Sequence, residues 1–209
     1  MRAPRIAVVD YGAGNLRSVA KALARSRMAP VVTADPAVVR DCEGVVLPGV
    51  GAFRDAANSL RESGLAEAVT RSIDDRRPYL GLCFGLQLLF DRGEEHGITE
   101  GFGVIPGSVK RFPETEGLRV PHIGWNDVRF SGSHPMLEQL PERDFFYFVH
   151  SYRGEPEDAS VVVGRTEYGG EFASAVAQDG LFAVQFHPEK SQAAGKRLLD
   201  AYRLWVEGS

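Results

Sequence analysis

A strand-to-helix turn around one cysteine constrains the fold of this 209-residue chain more than any other feature. Tyr79–Leu82 is a short apolar run typical of a buried strand, and an apolar pattern of helical character follows Cys83. The spacing Gly81-x-Cys83-x-Gly85 predicts a nucleophile elbow, whose strained backbone presents the thiol clear of both elements. At a helix N-terminus, unpaired N–H groups and the helix dipole would also favour thiolate. The alternative is a buried structural cysteine.

A histidine and a glutamate end a later apolar run, at residues 181–191. A cysteine nucleophile needs a base to accept its proton, and the base needs a third group that fixes its tautomer. We interpret His187 as the base and Glu189 as the orienting carboxylate, with Pro188 limiting the backbone freedom between them. A surface His-Pro-Glu turn is the alternative. An elbow cysteine combined with a distant His-x-Glu is typical of a cysteine hydrolase whose partners meet only in space.

Strand and helix patterns alternate along the first part of the chain. Strands are predicted at residues 5–10, 31–33, 44–47 and 79–82, and helices after an N-cap at Asn15, over 55–75 with a break near Gly64, after Cys83, and over 192–206. From Gly103 to Phe186 the pattern changes to short strands between turn residues. We expect a single α/β domain over residues 1–209. Its sheet should be open, twisted and mostly parallel, with helices on both faces and a mixed or antiparallel extension.

Composition argues against a nucleic-acid-binding, a membrane-spanning and a disulfide-stabilised protein. A net charge of −4 gives no electrostatic footprint for nucleic acid or for an anionic membrane, and no apolar run approaches the ~20 residues of a membrane span. Cys42 and Cys83 do not make a disulfide framework, and a nucleophilic thiol favours a reducing compartment. A strand pattern begins within a few residues of the N-terminus, which leaves no room for a signal peptide. We therefore expect a cytoplasmic protein. Scattered histidines predict no metal site, and we expect no cofactor.

Two segments carry a resemblance to a known family: GLCFGLQLLF at 81–90 and FAVQFHPEKS at 182–191. Together they resemble the triad-type (class I) glutamine amidotransferases, which hydrolyse glutamine and pass the ammonia on. Further segments are similar to the glutaminase subunits of imidazole glycerol phosphate synthases, enzymes of histidine biosynthesis. These segments are VVDYGAGNLRSV at 8–19, LPGVGAF at 47–53, HIGWN at 122–126 and FYFVHSY at 146–152. The resemblance runs from Ile6 to the C-terminal helix and implies a Cys83–His187–Glu189 triad.

The glycine-rich segment at 48–51 follows a strand, so it falls at the carboxyl end of the sheet, where open α/β folds bind ligands. A tight turn is the plain interpretation. The functional one is an oxyanion hole for the tetrahedral intermediate formed by Cys83. The resemblance implies that the donors are the backbone N–H groups of Val50 and Phe84. Gly49 and Gly51, which we place at the substrate site, would let the Val50 peptide rotate between two orientations.

Substrate contacts are predicted at two places. Gln87 lies one helical turn after Cys83 on the same face, where it can hydrogen-bond a bound amino acid. Alternatively, it only satisfies a neighbouring backbone group. The resemblance places the backbone of His150, Ser151 and Tyr152 beside the α-amino and α-carboxylate groups of glutamine. No carboxylate stands in a comparable relation to His150, so we do not assign it as the base.

The resemblance also implies a partner, a (β/α)8-barrel cyclase subunit in a heterodimer that receives the ammonia. The loop ending at Asn15 would face this partner together with Trp125, and Lys190 would form an ion pair across the interface. Trp125 could equally be a core residue. The loop at 10–15 lacks the third glycine of a dinucleotide-binding loop, because Arg17 occupies that position. Cys42 has no elbow and no nearby base, so we interpret it as structural.

Three alternatives stay open at this point. The chain could supply ammonia to another acceptor, as in the pyridoxal phosphate or GMP pathways, although the segments at 8–19 and 122–126 argue against it. It could be a Cys-His peptidase of similar fold. It could also be an inactive regulatory module, which the presence of Cys83, His187 and Glu189 disfavours. Nothing in the chain resembles a phosphate site for a nucleotide substrate, so the synthase chemistry is expected on the partner.

Overall fold

The computed structural model of the chain describes residues 2–114 and 116–209. Within them the helices are α1 (Leu16–Arg25), α2 (Pro36–Asp41), α3 (Phe53–Glu62), α4 (Leu65–Asp74), α5 (Phe84–Gln87) and α6 (Gln192–Glu207). The strands are β1 (Arg5–Val9), β2 (Ala29–Thr33), β3 (Gly44–Leu47), β4 (Tyr79–Leu82), β5 (Phe90–Gly93), β6 (Thr99–Glu100), β7 (Ile105–Arg111), β8 (His122–Phe130), β9 (Arg143–His150), β10 (Tyr152–Pro156), β11 (Val162–Glu167), β12 (Glu171–Gln178) and β13 (Leu181–Val184).

A large mixed sheet forms the centre of the molecule, in the order β2-β1-β3-β4-β13-β12-β11-β8-β9. The first five strands are parallel to one another, and the remaining pairs are antiparallel. β3, β4 and β13 are buried along their whole length, because both of their faces are covered. The predicted α/β class, with a parallel region that continues into an antiparallel extension, is confirmed; parallel and antiparallel pairs are equally numerous in this sheet.

Helices cover both faces of the parallel strands. On one face, alternate residues of β1 and β3 such as Ala7 and Val45 pack with apolar residues of α3 and α4. On the other face, their neighbours Ile6 and Val46 pack with α1 and α6. This arrangement follows from the period of two along a strand, which sends successive side chains to opposite faces. None of the helices that the structure describes has both the length and the apolar character of a membrane span.

A second, smaller sheet has the strand order β10-β7-β5-β6. Its strand β5 begins where the sequence predicts a continuing helix after Cys83. That helix, α5, is only one turn long. The apolar pattern after Cys83 predicts a helix that continues to Phe90, but Phe90 begins β5 and is fully buried. Apolar spacing alone does not separate a buried strand from a buried helix over so few residues.

Other differences are local. The predicted break near Gly64 is confirmed, with Gly64 at φ +73° between α3 and α4. The short helix α2 was not predicted; Asp35 caps it by accepting a hydrogen bond from the Ala37 N–H at 2.8 Å. Asn15 occupies the N-cap position of α1, but its side chain makes no capping hydrogen bond. Trp205 of α6 is partly buried and packs against the core.

Candidate active site

The turn after β4 has the strained geometry expected of a nucleophile elbow. Cys83 has φ +54° and ψ −98°, a conformation that is unusual for a residue with a side chain. Its backbone is fixed on both sides: the Cys83 N–H donates to the Val184 carbonyl at 2.8 Å, and the Cys83 carbonyl accepts from the Leu86 N–H at 3.0 Å. The flanking backbone is packed so tightly that a Cβ on Gly85 would lie 2.0 Å from the Leu47 carbonyl oxygen.

The strand that supplies the histidine runs beside the strand that supplies the cysteine. β13 is parallel to β4, with Val184 opposite Leu82, so the residues that follow both strands emerge at the same edge of the sheet. His187 comes next and is held against β9, where its N–H donates to the Tyr147 carbonyl at 2.9 Å. This shared edge brings together two segments about one hundred residues apart in sequence.

The imidazole of His187 is buried and paired with a buried carboxylate. Its Nδ1 lies 2.9 Å from Oε1 of Glu189, and the two side chains are 5% and 3% exposed. Burial alone would lower the pKa of His187, but hydrogen bonding and charge from Cys83 and Glu189 raise it to about 10. Nε2 has no hydrogen-bond partner with good geometry, although Cys83 lies close enough to raise the pKa of the imidazole. The arrangement is suited to an imidazolium beside a thiolate.

A cavity of about 420 Å³ opens over the cysteine at the carboxyl ends of the parallel strands. It brings together most of the predicted site residues with three that were not predicted. Its lining consists of Val50, Gly51, Cys83, Phe84, Gln87, Glu95, Pro121, Val149, His150, Ser151, Tyr152, His187 and Lys190. Of the predicted residues, Gly49 and Glu189 lie behind this lining in contact with Phe84 and His187 respectively.

The loop after β3 lies directly against the residue that follows the nucleophile. A Cβ on Gly49 would meet the Cβ of Phe84 at 2.4 Å and the Tyr11 hydroxyl at 2.5 Å. The predicted oxyanion donors, the N–H groups of Val50 and Phe84, therefore belong to neighbouring segments. Gly51 has φ +113° and open space around it, and Val50 is 42% exposed.

The hydroxyl of Tyr11 lies beneath this loop, buried and without an aligned hydrogen bond. Burial raises the pKa of Tyr11, and the nearby Val50 backbone N–H opposes part of that rise. The Val50 N–H therefore lies close to the Tyr11 hydroxyl, which is also the group that Gly49 contacts.

Gln87 is buried, lines the cavity and hydrogen-bonds a neighbouring backbone group. It lines the cavity, and its Nε2 donates to the Tyr152 carbonyl at 2.9 Å and to Oε1 of Gln185 at 3.1 Å. The backbone alternative is therefore realised for its N–H groups. A contact between its Oε1 and the substrate stays a prediction.

His150 lines the cavity, but both of its ring nitrogens have protein partners. Nδ1 lies 2.8 Å from the Tyr152 carbonyl, and Nε2 lies 3.0 Å from Nδ1 of His122. Burial, outweighing the hydrogen bond to Tyr152, lowers the pKa of His150 to about 3. A neutral histidine with both nitrogens engaged is a poor candidate for the base, in agreement with our preference for His187.

Four residues of the site were missed by the sequence analysis. Pro121 and Val149 contribute lining only. Glu95 comes from the segment after β5, where its Oε2 accepts from the Phe53 N–H at the start of α3, at 2.7 Å. Gln185 is fully buried, and its Nε2 lies 3.4 Å from Sγ of Cys83. A polar residue inside the apolar run 181–186 was the one available signal for Gln185.

The predicted partner-facing residues are at the surface, and Lys190 also lines the cavity. Asn15 is exposed, Trp125 is 48% exposed rather than part of the core, and Lys190 is exposed with its Nζ 5.8 Å from the centre of the Tyr147 ring. Cys42 is buried in the core, as expected for a structural cysteine. Within residues 2–114 and 116–209, no three His, Cys, Asp or Glu side chains are grouped as metal ligands would be.

Comparison with known families agrees with this geometry. The family model described as glutamine amidotransferase class-I matches residues 7–202, which is nearly the whole chain. The chain belongs to the class I glutamine amidotransferases.

Individual members of this glutamine amidotransferase family are similar over their full length. The imidazole glycerol phosphate synthase subunit HisH of Aquifex aeolicus is 48% identical over 204 residues, which covers 97% of this chain and 98% of that protein. The subunit of the same name from Syntrophotalea carbinolica is 48% identical over 199 residues, 93% of this chain and 97% of that protein. The structure of PurLQS from Thermotoga maritima superposes with a TM-score of 0.77 at 19% identity, covering 98% and 99% of the two chains, and shows the shared fold.

Proposed function

We propose that this chain is the glutaminase subunit of an imidazole glycerol phosphate synthase. It hydrolyses glutamine to glutamate and ammonia and delivers the ammonia to a cyclase subunit in histidine biosynthesis. The observation that carries the activity is the strained Cys83 turn beside the buried His187–Glu189 pair, at the base of a cavity. The near-full-length similarity to two HisH subunits supports the pathway. One domain over residues 1–209 performs this half of the reaction.

The chemistry consists of two half-reactions. His187 takes the thiol proton of Cys83, and the thiolate attacks the side-chain amide carbon of glutamine. As the C–N bond breaks, His187 returns the proton to the leaving nitrogen, and ammonia departs from a thioester. His187 then activates water, which attacks the thioester carbon and releases glutamate and the thiol. Glu189 keeps the imidazole oriented and balances its charge through the 2.9 Å contact with Nδ1.

Both tetrahedral intermediates carry an oxyanion that needs hydrogen-bond donors. The N–H groups of Val50 and Phe84 fill this role, since the close contact of Gly49 with Phe84 sets the two segments side by side. Gly51 allows the Val50 peptide to turn. Neither donor requires a side chain, so this part of the site depends on backbone conformation alone.

The charges around the cavity match an amino acid. Glutamine brings an α-ammonium and an α-carboxylate group, and the lining contains one carboxylate, Glu95, and one ammonium group, Lys190. Backbone groups of His150, Ser151 and Tyr152 supply neutral hydrogen-bonding sites between them. The Tyr152 carbonyl already accepts from Gln87 and His150, and the Ser151 carbonyl accepts from the Phe112 N–H at 3.0 Å, so we expect the substrate to use the remaining groups of this segment.

The partner is a (β/α)8-barrel cyclase subunit, bound as a heterodimer near the cavity mouth. An exposed apolar strip on β8 and β9, formed by Ile123, Trp125 and Phe145, supports a protein contact here. Lys190 and Asn15 lie at the surface for polar contacts with the same partner. We place the complex in the cytoplasm and assign it neither a metal nor another cofactor in this subunit, and no contact with nucleic acid or membrane.

Co-expression with neighbouring histidine-pathway proteins tests the proposal. A barrel subunit should co-purify in a 1:1 ratio, and the complex should consume free glutamine but leave glutamine-containing peptides intact. Cleavage of peptides would indicate a Cys-His peptidase instead. Co-purification with enzymes of the pyridoxal phosphate or GMP pathways would identify another ammonia acceptor.

A further inference from the structure

Gln185 is a buried polar residue directly beside the nucleophile. It follows β13 and is 0% exposed, and its Nε2 lies 3.4 Å from Sγ of Cys83. Its backbone N–H donates to the Ser174 carbonyl at 2.9 Å, which fixes it to the neighbouring strand β12. The backbones of Cys83 and Gln185 are thus each held by hydrogen bonds to a neighbouring strand, so their side-chain contact is set by the sheet.

The direction of this contact follows from a chain of hydrogen bonds that ends on a carbonyl. The Tyr152 carbonyl can only accept, so the amide nitrogen of Gln87, at 2.9 Å, must point towards it. The same nitrogen lies 3.1 Å from the Gln185 amide, which must therefore present its oxygen to Gln87. The remaining end of the Gln185 amide is its NH₂ group, and that end faces Sγ. The side-chain amide of Gln185 can therefore only donate a hydrogen bond to Sγ of Cys83.

A donor beside sulfur distinguishes the two protonation states of the cysteine. A hydrogen bond to an ionised acceptor is roughly twice as strong as one between neutral groups, so an amide N–H stabilises thiolate more than thiol. His187 acts on the sulfur as proton acceptor and counter-ion, whereas Gln185 can exchange no proton. Because Gln185 is fully buried, substrate meets Cys83 and not Gln185.

We propose that Gln185 is a positioning residue for the glutaminase reaction: its side-chain amide, oriented through Gln87 by the Tyr152 carbonyl, holds Cys83 as a thiolate aimed into the cavity. The inference rests on the proposed function for the identity of the reaction. The hydrogen-bond chain also ties the nucleophile to the backbone of residue 152 at the substrate site.

The first test compares Gln185→Met with Ser174→Ala. Met keeps the volume but removes the donor, while Ser174 is an equally buried polar residue on the adjacent strand and serves as the matched control. The rate of iodoacetamide alkylation of Cys83 is measured against pH. In Gln185→Met the midpoint of this curve should move up by about one pH unit, so that alkylation below the midpoint is ~10-fold slower. In Ser174→Ala it should not move.

In complex with the cyclase partner, Gln185→Met should lower kcat for glutamine ~10-fold and leave KM within about twofold, since ground-state binding does not involve this amide. An unchanged alkylation midpoint with intact fold would overturn the proposal while leaving the glutaminase assignment untouched. Failure of the glutaminase assignment shows differently, as glutamine turnover by Cys83→Ala.

A measurement on the unmodified residue covers the case in which Gln185→Met does not fold. The ¹H–¹⁵N resonances of the Gln185 side-chain amide are followed against pH in the wild-type chain and in Cys83→Ala. They should shift with the same midpoint as alkylation in the wild type and stay constant through that range in Cys83→Ala. Wild-type chemical shifts of this amide that do not change across the pH range of the alkylation midpoint would refute the contact.

Discussion

The two glycine-containing turns that form this site differ in what their glycines do. In the turn after β4, glycine is required by space: added Cβ atoms on Gly81 and Gly85 would lie 2.5 Å and 2.0 Å from backbone carbonyl oxygens. In the loop after β3, Gly51 has φ +113° and no atom within 4 Å of an added Cβ, and Val50 is 42% exposed. The turn after β4 is held by packing on both sides of Cys83, whereas the loop after β3 is packed at Gly49 and is limited at Gly51 only by backbone conformation.

This difference separates the two tasks of the site. The nucleophile is fixed by surrounding backbone, so Cys83 has one arrangement. We propose that the Val50 peptide, next to Gly51 with open space around it, can turn to a second arrangement, with the Tyr11 hydroxyl as a neighbouring polar group. A glutaminase that wastes no ammonia benefits from this division, because hydrolysis can wait for the oxyanion donor.

The largest effect is expected where the fixed turn supplies the reacting atom. Cys83→Ala, and to a similar extent Cys83→Ser, should lower glutamine-dependent synthesis by ~10⁴-fold or more, since no thioester forms. Synthesis from added ammonium salts should be unchanged, because cyclisation belongs to the partner. Both rates are measured on the purified complex. Substantial glutamine turnover by Cys83→Ala would refute the role of the fixed turn.

The next effect separates the base from the group that orients it. His187→Ala should lower glutamine hydrolysis by ~10²–10⁴-fold or more, and Glu189→Gln, which keeps the shape without the charge, should lower it less. Alkylation of Cys83 at neutral pH should slow in His187→Ala. Cys42, which is 3% exposed, provides the internal control and should stay unlabelled. Equal labelling of Cys83 in both proteins would count against a Cys-His couple.

A pair of glycine substitutions tests the contrast between the turns. Gly85→Ala forces a methyl group against the Leu47 carbonyl and should destabilise by about 3 kcal/mol or more, a fall in Tm of ~6–12 °C. Gly51→Ala should lower Tm by only ~2–4 °C, since its cost of about 1 kcal/mol is conformational. It should nevertheless reduce glutamine hydrolysis by the complex ~10–100-fold. The reverse order of Tm values would contradict the comparison.

Local sequence patterns were enough to find the nucleophile, its base and the glycine-rich loop. The Gly81-x-Cys83-x-Gly85 spacing and the His187-x-Glu189 spacing are local patterns, and in each the geometry follows from residues close in sequence. The alternation of buried strands and amphipathic helices gave the fold class for the same reason. The one-turn length of α5 could not be predicted, because a run of apolar residues fits a buried strand as well as a buried helix.

The residues that were missed depend on tertiary structure. Glu95 reaches the cavity from the small sheet, whose pairing of β5 with β7 and β6 has no local signature. Gln185 carries a weak signal, a polar side chain in a buried apolar run. Its partners Gln87 and Cys83 are about one hundred residues away in sequence, so only the assembled sheet shows what it contacts.

Steady-state glutamine hydrolysis is the most direct test of the central claim, that a preset nucleophile waits for an adjustable oxyanion loop. The rate is measured for the chain alone, with the cyclase partner, and with partner plus its nucleotide ligand. The chain alone should be poor, and partner with ligand should raise kcat by ~10²–10³, the contribution of one oxyanion donor. Full turnover by the chain without any partner would contradict the account.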